Sequence, residues 1–186
     1  YVYGNIATST GMSWTATAGQ LFILPSGAST LTTNSVTINS ATINIGGVGY
    51  TGSLTLQDDL TGSLTTIVSL AYCTWDTNGK TVNVGSFETQ STTAARTITL
   101  GATIFITNAA NGWAANNTGL TLNKGTSSIR LNGTGSFFGG GYTYYEAQLN
   151  STANTIYQSN IFTNLIRTST ATKTDTLTLT ANQTIT

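Results

Sequence analysis

Short runs in which apolar side chains alternate with Thr or Asn recur along this whole chain, and they confine it to β-structure. Val36-Thr37-Ile38-Asn39, Ala41-Thr42-Ile43-Asn44-Ile45, Ser53-Leu54-Thr55-Leu56 and Thr81-Val82-Asn83-Val84 are followed by Arg96-Thr97-Ile98-Thr99-Leu100 and Thr103-Ile104-Phe105-Ile106-Thr107. Leu120-Thr121-Leu122-Asn123, Ser128-Ile129-Arg130-Leu131-Asn132 and Thr176-Leu177-Thr178-Leu179-Thr180 continue the series. A period of two places the apolar groups on one face of a half-buried strand and the hydroxyls and amides on the other. Helical periodicity is nearly absent, and Thr, Val and Ile favour strands over helices. Gly, Asn or Ser separates the runs, as at Ile45-Gly46-Gly47, Asn78-Gly79 and Asn132-Gly133, which are turn chemistry.

Two architectures use many short alternating strands: a parallel β-solenoid, in which each coil stacks on the last, and an antiparallel β-sandwich. The solenoid is the first reading. Only Gly101-Ala102 parts the runs ending at Leu100 and starting at Thr103, a gap that suits a corner between two faces of one coil. Tyr142–Leu149 and Ser159–Ile166 form a loose repeat about eighteen residues apart, close to one coil of a three-faced solenoid. Outward Thr and Asn would form ladders between coils, satisfying their polar groups without charge. The densest apolar patch, from Met12 and Trp14 through Leu21, Phe22, Ile23, Leu24 and Pro25, marks residues 1–30 as a cap or docking segment ahead of a solenoid domain over 31–186.

Composition narrows the role. About forty of the 186 residues are Thr, far above ordinary usage, and only 6% are charged. The formal net charge is zero, and Lys80, Arg96, Lys124, Arg130, Arg167 and Lys173 are scattered singly, so nucleic-acid binding through phosphate neutralisation has no basis. Zero net charge also removes repulsion between copies and favours self-association. No apolar stretch approaches the ~18 residues of a membrane helix. The chain starts at Tyr1 without Met, as a processed protein or a piece of a longer one would. Low charge with abundant Thr, Asn and Gly points to a virion or to the outside of a cell. Cys73 has no partner for an intrachain disulfide and is expected to be a small buried apolar group.

Over about half the chain the pieces fall in a familiar order. Trp75-Asp76-Thr77-Asn78-Gly79-Lys80-Thr81-Val82-Asn83-Val84-Gly85-Ser86-Phe87 leads to Arg96-Thr97-Ile98-Thr99-Leu100-Gly101. Then come Gly119-Leu120-Thr121-Leu122-Asn123-Lys124-Gly125-Thr126-Ser127-Ser128-Ile129 and Phe137-Phe138-Gly139-Gly140-Gly141-Tyr142-Thr143-Tyr144-Tyr145. This stretch resembles the Thr/Gly-rich β-repeat regions of phage structural proteins and large bacterial surface proteins. The resemblance implies a right-handed β-helix with structural or adhesive duty, and it brings no catalytic residues. Residues 1–70 do not share the pattern.

Chemistry has little to work with. The absence of His excludes His-based triads and His metal sites, and one Cys excludes a cysteine zinc cluster. The carboxylates are Asp58, Asp59, Asp76, Glu88, Glu146 and Asp175; a glycosidase needs two facing each other across a sugar. Gln57-Asp58-Asp59 reads first as a turn and second as a calcium or catalytic pair, and Glu88 and Glu146 do not pair by inspection. Gly139-Gly140-Gly141 reads as a tight corner rather than a phosphate cradle, having no Lys or helix after it. Asn116, Asn132, Asn150 and Asn182 begin Asn-x-Ser/Thr sequons.

Trp14, Trp75, Trp113, Tyr142, Tyr144, Tyr145 and Tyr157 could stack on sugar rings if exposed, although core or inter-coil packing is the commoner use of such rings. Trp113, in a polar loop of Asn and Ala, is the first choice for an exposed contact residue. The contact or assembly set is therefore Trp14, Phe22, Trp113, Tyr142, Tyr144 and Tyr145, with no catalytic, cofactor or metal residues.

The expected function is a non-enzymatic structural subunit of an extracellular assembly, foremost a phage virion fibre or tail-associated protein. Its partners would be copies of itself and other virion or surface proteins. The alternative is a bacterial adhesin or filament subunit binding surface glycan or itself, and a polysaccharide-cleaving spike enzyme ranks third.

Overall fold

The computed structural model describes residues 1–90, 93–115, 118–168 and 176–186. Among them there is no helix, and the strands stack into a parallel β-solenoid of about seven turns. In chain order they are β1 (Ile6–Ala7), β2 (Trp14–Ile23), β3 (Ala28–Thr32), β4 (Ile38–Ile45), β5 (Ser53–Leu56), β6 (Leu60–Thr61) and β7 (Ile67–Leu70). There follow β8 (Thr74–Asp76), β9 (Val82–Val84), β10 (Ser86–Thr89), β11 (Arg96–Thr99), β12 (Ile104–Thr107), β13 (Trp113–Ala114) and β14 (Leu120–Asn123). The last are β15 (Ser128–Leu131), β16 (Ser136–Phe138), β17 (Thr143–Leu149), β18 (Ala153–Tyr157), β19 (Ile161–Arg167), β20 (Thr176–Leu179) and β21 (Thr184–Ile185).

These strands form three sheets. The first is ordered β1-β3-β5-β8-β11-β14, the second β6-β9-β12-β15-β17-β19-β21, and the third β2-β4-β7-β10-β13-β16-β18-β20. From β5 to β16 each coil visits the first, second and third sheets in turn. Every strand pairing is parallel; the antiparallel bridge between Gly47 and Tyr50 closes a local turn. That disposes of the sandwich. The gap at Gly101-Ala102 is a corner between β11 on the first sheet and β12 on the second.

The ladder fixes the core because alternate side chains point inward. Leu54, Trp75 and Ile98 are in register on the first sheet, Val82, Phe105 and Ile129 on the second, and Ile43, Val68, Phe87, Trp113, Phe137 and Ile156 on the third. All of these side chains are fully buried. Each contributes on the order of 1.5–3 kcal/mol or more by leaving water.

Corners use residues that tolerate left-handed backbone. Gly101 (φ 57°) and Gly125 (φ 53°) lie above one another, so closely that a Cβ on Gly125 would stand 2.1 Å from the Gly101 carbonyl oxygen. In the same part of the stack, Thr77 Oγ1 hydrogen-bonds Thr103 Oγ1 at 2.6 Å, and Asn78 Nδ2 donates to the Leu56 carbonyl.

The two ends of the stack depart from three strands per coil in different ways. β2 and β4 are long strands of 10 and 8 residues, and Ile38 bridges Gly62 at the edge of the second sheet. The separate runs expected at 36–39 and 41–45 are thus one strand from Ile38. At the other end the first sheet stops at β14, and β17 and β19 enter the second sheet directly. There Ile129 pairs with Ala147, and Ala147 with Leu165, each eighteen residues on. This is the repeat visible in the sequence. Gly139-Gly140-Gly141 forms the corner, with Gly140 and Gly141 at φ 66° and 80°. At the start, β1 and β2 pair directly with β3 and β4, and β3 runs through residue 30.

Candidate functional site

On the outer face of the third sheet, parallel register lines up one outward residue per coil. Phe22, Asn44, Ser69 and Glu88 follow one another, and the row continues through Ala114, Phe138 and Tyr157. The middle of the row is a polar groove. Asn44 and Ser69 are buried at 6% and 2% exposure although they point away from the core, because Gln20, Glu88 and Gln90 close over them. Asn44 Nδ2 donates to Gln20 Oε1 at 3.2 Å, and Gln90 Nε2 donates to Asn44 Oδ1 at 3.4 Å. Ser69 Oγ donates to Glu88 Oε1 at 3.0 Å. The groove has a volume of about 540 Å³.

Beyond Glu88 the row reaches Ala114, whose methyl group leaves a notch of about 260 Å³ walled by Ile67, Ser86, Glu88, Asn111 and Phe138. The Phe138 ring stacks on Tyr157 with centroids 4.2 Å apart and planes 9° apart. That separation is close to the coil-to-coil spacing, so the rings stack along the solenoid axis. The second face of Phe138 is therefore turned toward the notch. At the far end of the row Phe22 stacks on Tyr1 at 4.9 Å.

Of the six residues expected to make contacts, Phe22 lies on this row. Trp14 is half-buried against the core at the start of β2. Tyr142 is half-buried, and its hydroxyl donates to the Leu120 carbonyl at 2.9 Å on β14. Tyr145 has Lys124 Nζ 5.7 Å from its ring centroid.

Trp113 and Tyr144 are corrections. Trp113 is fully buried and stacks on Phe87 at 4.4 Å. Its indole N–H meets the Tyr144 hydroxyl at 3.2 Å, and that hydroxyl donates to the Gly139 carbonyl at 2.8 Å. Burial holds the Tyr144 phenol well above its ordinary pKa. The polar run before Trp113 misled because corner amides serve the backbone: Asn108 Nδ2 donates to Asn83 Oδ1 and to the Val84 carbonyl. Trp113 follows that corner at an inward strand position, between Phe87 and Phe137. Trp75 is likewise fully buried, whereas Tyr157 is half-buried on the outer row.

The carboxylates are distributed over the surface. Asp58 accepts from the Thr33 and Asn34 N–H groups at 2.7 and 2.6 Å, while Asp59 accepts from the Thr81 N–H at 2.8 Å. The turn thus ties to the coil before it and the coil after it. Asp76 accepts from the Asn78 N–H at 2.7 Å. Glu88 stands on the third sheet, whereas Glu146 stands on the second and accepts from Gln148. No cluster of three metal-ligating acidic or Cys side chains occurs among the described residues. Asp175, Lys173 and the Asn116 sequon lie outside them. Asn150 Nδ2 donates to Asn132 Oδ1, joining two sequon asparagines of neighbouring coils. Cys73 is buried, and burial pushes its thiol up to about 12. No helix among the described residues is long and apolar enough to cross a membrane.

Sequence reasoning missed the outer row as a unit. Its signal lay in the residue after each inward aromatic or aliphatic, as in Ile43-Asn44, Val68-Ser69, Phe87-Glu88 and Phe137-Phe138. Coil lengths vary from 18 residues (Ala147 to Leu165) to 26 (Phe87 to Trp113), so no fixed period connects these positions before the register is known. No known family, curated protein or solved structure matches the chain.

Proposed function

We propose that this chain is a non-enzymatic structural subunit of an extracellular assembly, foremost a phage virion fibre or tail-associated protein. It works as a stiff element built by β-stacking and associates with copies of itself. The observation that carries this reading is the continuous core. Ring contacts run from Trp75 and Phe87 through Phe105 and Trp113 to Tyr144, Phe137 and Phe162 without a gap. Three sheets of backbone hydrogen bonds flank that column as far as β14 and two beyond it, and bending the rod would have to break rings and ladders together. The near absence of charge removes the long-range repulsion that keeps copies apart.

Immunogold electron microscopy of the source culture, with an antibody raised against the purified chain, tests the assignment. Label on fibres or tails of released phage particles is the expected result. Label confined to cell envelopes or cell-free filaments would move the protein to the adhesin or filament class. Limited proteolysis and sedimentation of the purified chain test the mechanical part: a protease-resistant, self-associating species is expected, and a rapidly digested monomer would overturn it.

A further inference from the structure

The outer row of the third sheet has a composition that the rod itself does not require. A structural face needs hydroxyls or small side chains that ladder between coils, as on the first sheet, where Thr74, Thr97 and Thr121 are in register. The third sheet instead carries a groove, a notch and an aromatic wall in sequence along the axis. Three observations define what would fit there.

The first is charge. Among the described residues, the cations lie on the first sheet (Arg96), on the second (Arg130 and Arg167), or in the turns between those two (Lys80 and Lys124). The third sheet has the Glu88 carboxylate and no described Lys or Arg. Arg167 reaches the third sheet at Asn154 on β18, but among the described residues an anionic ligand in the groove and notch would meet the Glu88 carboxylate and no lining cation.

The second is hydrogen bonding. In the groove Asn44 is engaged through both its amide nitrogen and its oxygen, so its orientation is fixed. Among the described residues Glu88 Oε2, Gln20 Nε2 and Gln90 Oε1 make no hydrogen bond within the protein. They leave an acceptor, a donor and a further acceptor on side chains that line the groove. Hydroxyl groups, which donate and accept, match a mixed set of this kind.

The third is shape. The notch beside Ala114 ends on the flat face of Phe138, which suits the apolar C–H face of a sugar ring. The groove lies on the other side of Glu88, so the two cavities share this side chain.

We infer that the outer face of the third sheet binds a neutral, extended oligosaccharide, of the β-1,4-linked type, lying along the solenoid axis. One pyranose occupies the notch against Phe138. The next lies over the amide-lined groove, and Glu88 accepts hydrogen bonds from hydroxyls of both. The row from Phe22 to Tyr157 spans about 30 Å at the usual strand spacing, room for several sugar units. Hydrolysis by a carboxylate pair would need a second carboxyl group across the sugar from Glu88, and Glu146 stands on another sheet. Among the described residues Glu88 has no such partner on the third sheet, so binding alone is inferred. This binding is additional to the structural role and stands or falls independently of it.

Isothermal titration of the full chain with cellohexaose, xylohexaose, mannohexaose and chitohexaose, with polygalacturonate as the anionic comparison, tests the inference. At least one neutral hexasaccharide is expected to bind and to be recovered intact. Phe138→Ala and Glu88→Gln should each weaken binding about tenfold or more. Ala114→Phe, which fills the notch while removing no existing side chain, should abolish it. Glu146→Gln on the second sheet should leave affinity unchanged, and circular dichroism should show the same fold for all variants. Failure of all four neutral hexamers to bind would overturn the proposal. So would binding that survives Ala114→Phe and Glu88→Gln, or preferential binding of polygalacturonate.

Discussion

In the coils before residue 71 the buried core side chains are Ile, Leu and Val, as in Ile23, Ile43, Ile45, Leu54 and Val68. From Trp75 onward aromatic rings join Ile, Val and Leu at the inward positions of the same ladders. Val68 pairs with Phe87, Phe87 with Trp113, and Leu54 with Trp75. The parallel pairing of the third sheet runs through both stretches, so the ladder tolerates either filling. What changes is how the interior is held. The rings contact one another both along a face and across faces, as Trp113 reaches Phe87 on its own sheet and Phe105 and Tyr144 on the second.

If that contrast is sound, truncation should hurt most in the aromatic stretch. Trp113→Ala should cost about 3–5 kcal/mol in urea unfolding, and Ile43→Ala about 2–4. A loss below about 1 kcal/mol for Trp113→Ala would break the comparison. The corners should behave alike in both stretches. A Cβ on Gly46 would stand 1.9 Å from the Ala71 oxygen, and one on Gly125 2.1 Å from the Gly101 oxygen, both at positive φ. Each Gly→Ala change should cost well over about 1 kcal/mol. Gly27→Ala, where the added methyl meets nothing within 4 Å, should be near neutral.

Cys73 lies at the junction of the stretches. Its thiol is raised by burial from 9.0 to about 12. The folded form holds the proton that the unfolded chain releases, so its contribution is whole below pH 9.0 and declines from there toward pH 12. Stability should therefore fall by about 1.4 kcal/mol per pH unit over that window through this group. Subtracting the curve for Cys73→Ala from that of the parent should isolate the slope, and identical alkaline slopes would refute the assignment.

The smallest effect separates two buried indoles. Trp113 N–H has the Tyr144 hydroxyl, whereas Trp75 Nε1 is buried with no hydrogen-bond partner among the described residues. Trp113→Phe should cost about 1 kcal/mol more than Trp75→Phe, the worth of one hydrogen bond. Equal losses would mean that the indole hydrogen bond contributes nothing.

The same contrast explains what could be read from the amino acids. Alternation marked β4, β5, β9, β11, β12, β14, β15 and β20, and the two-residue gap at Gly101-Ala102 marked a coil corner. The eighteen-residue repeat was visible where β17 and β19 keep the same spacing. The familiar Thr/Gly-rich pattern covered the aromatic stretch alone, because rings and glycine corners punctuate it. Residues 1–70 fold into the same coils with Leu, Ile and Val, which leave no such marks. Side-chain exposure was harder. Trp113 follows a run of Asn and Ala, and nothing local says that those amides bond to backbone across coils. Phe138, next to the buried Phe137, looks like core until its outward position is known. The candidate site is assembled from residues as distant as Phe22 and Tyr157, and coils of unequal length hide their alignment.

Asp58 and Asp59 act as a rivet through three plates. One carboxylate grips the layer behind and the other the layer ahead, so the turn that carries them cannot be peeled away from either neighbour alone. Tension applied along the axis would be shared by all three layers at this point, which makes the first-to-second-sheet corner there a place to look for resistance when the molecule is pulled.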